Sequence, residues 1–138
     1  MSSARSVIRI ANRMVPMIVI MGTIFMLSHQ PSDDLPVPEI PYVDKVCHFL
    51  IYGFLALSVL YAFADLKNMG RGNLLYPAVL VFCLLFGLSD EYHQSFVAGR
   101  YSSGADLLAD VAGAFVFLLV FGKRIIKGNL SVAGIKKS

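Results

Sequence analysis

Four apolar runs, separated by short polar segments, set the pattern of the chain. Met14 to Ser28 carries no charge and extends back through Ile10 and Val7. Val46 to Ala64 has no formal charge, although it includes His48. Asn73 to Ser89 is uncharged, and Ala105 to Gly122 is apolar except for Asp106 and Asp110. A helix that spans a bilayer needs roughly 17–25 residues at about 1.5 Å each. The second and third runs meet that length as they stand. The first needs Arg13 to snorkel, and the fourth needs protein to house its two acids. The pattern predicts an all-α, polytopic membrane bundle of four transmembrane helices, at about residues 10–28, 46–64, 73–90 and 105–122. Residues 14–122 then form one domain, between a basic tail at 1–13 and a second at 123–138 that is expected to need no fold.

Composition agrees with that class. The chain is 57% hydrophobic and 15% charged, whereas a soluble domain averages about a quarter charged. Basic residues before the first apolar run resemble a signal peptide, but "FMLSHQP" lacks a small-x-small cleavage pattern. It is read as an uncleaved helix. Trp is absent, so an aromatic belt must come from Tyr and Phe. Cys47 and Cys83 lie in separate apolar runs and are read as small packing residues.

Charge placement gives orientation. Ten of the twelve basic residues flank the bundle on one side; only Lys45 and Arg100 lie on the other. Positive residues mark the cytoplasmic face, so both termini are expected in the cytoplasm. The acids segregate the other way: apart from Asp65, all lie at or near the outer face, with His29, His48 and His93. The orientation rule does not demand that clustering. The basic pI reflects cytoplasmic anchors rather than nucleic-acid binding, for which no phosphate loop, zinc-finger spacing or basic aromatic stripe is present. Between the first two runs, Pro31, Pro36, Pro38 and Pro41 predict an extended outer loop, either a lid over the bundle or a solvated connector. Pro77 falls in the expected first turns of the third helix, where proline is tolerated.

The polar residues near the outer face are the candidates for chemistry. Asp44, His48 and Tyr52 recur every four residues and share one helix face. Asp44 is also placed to cap that helix, with Lys45 as an interface anchor. Asp90 and Glu91 fall at a helix C-terminus, where the macrodipole disfavours acids, and Gln94 faces both. Ser103 and Asp106 match a capping box. Asp110, one turn deeper, needs a partner inside the bundle, with Arg100, His48 and Tyr52 as candidates. Arg100 either neutralises these acids or offers its planar fork to a ligand phosphate or carboxylate. Ala105, Ala109 and Gly113 recur every four residues and would let another helix approach closely.

Together, "LSHQP", "DKVCHFLIYGFLAL" and "SDEYHQSFVAGRYSSGADLLADVAG" resemble the VanZ-like family of small bacterial integral membrane proteins. The resemblance covers about residues 20–120 and matches the family at Asp44, Lys45, His48, Asp90, Glu91, Gln94, Arg100, Asp106 and Asp110. It implies a bacterial membrane protein, here expected in the inner membrane, and a link to low-level resistance to the glycopeptide teicoplanin, with no agreed catalytic residues; no cofactor is expected. Three functions compete. The first is an outer-face pocket for a lipid headgroup or lipid-linked cell-envelope precursor, formed by these nine residues and Tyr52. The second is a scaffold whose charges fix helix packing and whose loops dock an envelope protein. The third is an acid–base or metal-dependent enzyme acting on envelope lipids, with His48, Glu91 and Asp110 as its best constellation.

Overall fold

The structure, a computed structural model, describes residues 3–31, 42–69, 72–100 and 102–132. These form four α-helices: α1 (Ser3–Ser28), α2 (Val43–Phe63), α3 (Gly72–Gln94) and α4 (Gly104–Val132). A 3-10 turn, Ala64–Met69, follows α2. All four helices contain segments long and apolar enough to cross a membrane: Ile10–Ser28, Val43–Leu66, Leu74–Gln94 and Gly104–Gly128. In hydrocarbon, every backbone polar group must be satisfied within the protein, and a helix does this within one segment.

α2 and α4 share the largest interface. Gly113 of α4 lies against the backbone of Phe49, where a Cβ would collide with that residue's carbonyl. Gly53 of α2 faces the Phe117 ring, 2.5 Å from where its own Cβ would stand. Gly113, the last member of the small-residue stripe on the fourth helix, thus places two backbones side by side, while Ala105 of the same stripe is exposed. Tyr52, Leu55, Ala56, Leu60, Val79, Cys83, Ala114 and Leu118 fill the centre. Outward positions such as Ile18, Phe25, Leu85 and Leu119 remain exposed and apolar, as a lipid-facing surface requires.

The structure corrects several expectations. α1 begins at Ser3, so most of the basic N-terminal stretch is helical. Arg13 does not snorkel. It is 4% exposed, its Nη1 stands 2.6 Å from Asp65 Oδ2, and its guanidinium lies over Tyr61. α4 continues to Val132 instead of ending near Gly122, because Ile126 returns to the core and holds another turn in place. Pro77 does fall in the first turns of α3, as its sixth residue, where that helix forgoes its bond to the Asn73 carbonyl. Cys47 is exposed, while Cys83 is buried; both are free thiols. Of the four prolines expected in the outer loop, only Pro31 falls within the described residues.

Candidate functional site

At the end of the bundle that carries the acids, α1, α2, α3 and the start of α4 enclose a cavity of about 530 Å3. Ile24 and Leu27 of α1 and Ile51 of α2 give it an apolar wall. Asp44, Lys45, His48, Tyr52, Asp90, Gln94, Arg100 and Asp106 all line it. Eight of the ten predicted site residues therefore border one space. The other two stand behind its wall, where Glu91 reaches the start of α4 and Asp110 holds His48.

Lys45 joins two helices: its Nζ lies 2.6 Å from Asp44 Oδ2 and 2.6 Å from Asp106 Oδ1. Asp44 does not cap α2, because it lies inside the first turn. The N-cap position belongs to Tyr42, which adopts a left-handed backbone (φ 68°) and makes no side-chain cap bond. Asp44 still favours the helix, since an acid in the first turn meets the positive end of the dipole.

The capping box at the start of α4 is also divided differently. Ser103 Oγ accepts from the Ala105 amide at 3.2 Å. The amide of Ser103, however, donates to Glu91 Oε2 at 2.6 Å, while Asp106 turns to Lys45. Glu91 belongs to α3, so an acid near the C-terminus of one helix serves the N-terminus of the next. The macrodipole objection to Glu91 disappears, because the nearest positive helix end is that of α4.

Deeper in the bundle, His48 Nδ1 meets Asp110 Oδ1 at 2.9 Å. Asp110 is fully buried, and its Oδ2 has no hydrogen-bond partner. That oxygen would stand 2.9 Å from a Cβ at position 87, so the glycine there makes room for the carboxylate. The Tyr52 hydroxyl and Glu91 Oε1 are likewise buried and unpartnered. A carboxylate on one imidazole nitrogen leaves the other free for acid–base work, the arrangement general-base catalysis uses. Among the described residues, no group of three or more His, Cys, Asp or Glu side chains is arranged to hold a metal ion.

Among the described residues, Arg100 pairs with no acid. Its Nη2 donates to the Leu27 carbonyl at 2.9 Å and its Nε to the Gln30 carbonyl at 3.2 Å. The Leu27 carbonyl also accepts from the Gln30 amide at 3.3 Å, so the cation adds a charged donor at the C-terminal end of α1. Gly99, with φ 73°, supplies the left-handed turn that presents Arg100. Gln94 completes the tie by donating to Ser28 Oγ at 3.2 Å and to Asp90 Oδ2 at 3.0 Å.

Comparison with known proteins places the chain in a family. The family model described as VanZ/LLP1 matches residues 4–126. The chain belongs to the VanZ/LLP1 family. The curated relative "Uncharacterized protein C11E3.10" of Schizosaccharomyces pombe is 34% identical over 85 residues, covering 62% of this chain. The chain spans about half the length of that relative, 50%. No solved structure matches it.

In this VanZ/LLP1 member, the motif at the end of α1 contributes more than was expected of it. Ser28 of "LSHQP" is 4% exposed, lines the cavity and accepts from Gln94, a role that side-chain spacing within one helix does not reveal. The motif itself was the available signal. Leu27 and Gln30 act through backbone carbonyls, which no side-chain pattern reveals. His29 and His93 lie outside the cavity, paired at 3.3 Å beside the Phe25 ring.

Proposed function

We propose that the protein binds an amphiphile, a lipid headgroup or a lipid-linked cell-envelope precursor, in the cavity at the acidic end of its bundle. The observation that carries this reading is the composition of one wall system: Ile24, Leu27 and Ile51 border the same space as Lys45, Asp90 and Arg100. An apolar tail and a polar headgroup each find matching surface there. Cys47 is exposed and lines the cavity, so it stands at the mouth. The distribution of basic residues supports a multi-pass protein of the bacterial inner membrane, with both termini cytoplasmic and the cavity at the outer face. A link to teicoplanin resistance rests on the family resemblance alone.

Native mass spectrometry of gently extracted protein tests this reading. A retained species of defined mass is expected, and alkylating Cys47 with a bulky maleimide is expected to displace it. The second thiol, Cys83, is fully buried and does not compete for the reagent. Bare protein before alkylation would contradict the reading.

One set of contacts favours a second reading, a packing scaffold. Polar side chains join α2 to α4 through Lys45–Asp106 and His48–Asp110, and α3 to α1 through Gln94–Ser28. A scaffold predicts that Asp110→Asn lowers thermal stability with no ligand at stake. The binding reading predicts a folded variant with weakened retention.

A further inference from the structure

Four carboxylates at this end of the bundle, Asp90, Glu91, Asp106 and Asp110, are each 7% exposed or less. Lys45 pairs with Asp106, and His48 pairs with Asp110. Arg100 is turned to carbonyls of α1 and its following turn. Among the described residues, Asp90 and Glu91 thus have no basic partner. Burying a carboxylate without a counter-charge is costly, and a ligand cation would offset that cost.

A separate observation points to the same space. Tyr52 lines the cavity, is fully buried, and its hydroxyl has no partner. Buried hydroxyls are ordinarily hydrogen-bonded, so a residue that borders the cavity keeps a donor unspent. Arg100 also lines the cavity. A guanidinium has five N–H donors. Two bonds to carbonyls leave donors suited to a phosphate.

We infer that the cavity selects a zwitterionic amphiphile, with a primary ammonium set against Asp90 and a phosphate set against Arg100. This rests on the amphiphile-binding function proposed above. A primary ammonium donates hydrogen bonds to carboxylates, as lysine does. A trimethylammonium has no N–H to give. A headgroup with a phosphate and no cation leaves Asp90 uncompensated.

The test is competitive native mass spectrometry. Delipidated protein in mild detergent is mixed with equal amounts of phosphatidylethanolamine, phosphatidylcholine and phosphatidylglycerol bearing the same acyl chains. Retention of the ethanolamine lipid at least ten-fold above the other two is expected. Asp90→Asn should cut that preference at least three-fold, as should Tyr52→Phe, which removes only an unpartnered hydroxyl. Equal retention of the ethanolamine and choline lipids would overturn the inference. Preference for the glycerol lipid would overturn it by reversing the sign of the selected charge. Both results would leave the cavity as a lipid site. An unchanged preference in both variants would remove Asp90 and Tyr52 from the site. Free glycerophosphoethanolamine competing at equal concentration would make the ligand a soluble headgroup and overturn the amphiphile. Bare protein with every lipid would remove the underlying binding function as well.

Discussion

Glu91 and Asp106 show how partners are chosen across helices rather than along them. Spacing alone pairs Ser103 with Asp106, but the Ser103 amide donates to Glu91 and leaves Asp106 for Lys45. A pattern confined to one segment cannot see an acid arriving from the preceding helix. The His48–Asp110 pair was more legible, because an acid inside an apolar span demands a partner and few residues could provide one. Glu91→Ala should cost about 1.5–3 kcal/mol, the loss of a charge-assisted bond to the start of α4, and Glu91→Gln clearly less. Thermal unfolding in detergent measures the difference. His48→Leu should be worse, at about 3–5 kcal/mol, because it strands a buried carboxylate. The double variant His48→Leu/Asp110→Leu should recover much of that loss, since replacing both partners with apolar groups leaves no charge unpaired. If the double variant is as unstable as the single one, the pair is not the source of the cost.

Between elements, the seam of α2 and α4 is set by what is missing. Gly113 leaves room for the Phe49 backbone, whereas Gly22 on α1 faces open space. Gly113→Ala must push the helices apart and should destabilise by about 1–3 kcal/mol. Gly22→Ala should cost nothing and, by helix propensity, stabilise by about 0.5–1 kcal/mol. Comparable losses at both positions would deny a special role to the seam. The recurrence of Ala105, Ala109 and Gly113 announced a close approach, but which helix approaches depends on tertiary packing. Helix ends were less legible than helix centres. Ile126 continues α4 because it finds the core, and no local stop signal records that. Arg100 secures the end of α1 through carbonyls alone. Arg100→Gln should therefore speed amide hydrogen exchange in the last turn of α1 while the α2–α4 seam stays protected.

Taken as one molecule, the chain separates its charges by end. Arg13 meets Asp65 at one end, and the cavity gathers Asp44, Lys45, His48, Asp90, Arg100 and Asp106 at the other. Membrane class and helix number were legible in the sequence because apolar run length is a direct consequence of bilayer thickness. Eight polar positions in three segments were also legible as neighbours at one end of the bundle. Their common cavity was not, since its apolar wall uses Ile24, Leu27 and Ile51, which look like every other lipid-facing residue. The central claim is that an amphiphile occupies this space. A crystal structure grown in a lipid phase from protein extracted with its native lipids tests it most directly. The account predicts continuous density with a headgroup between Asp90 and Arg100 and a chain leaving past Cys47. A cavity holding only ordered water, its side chains as described here, would contradict it.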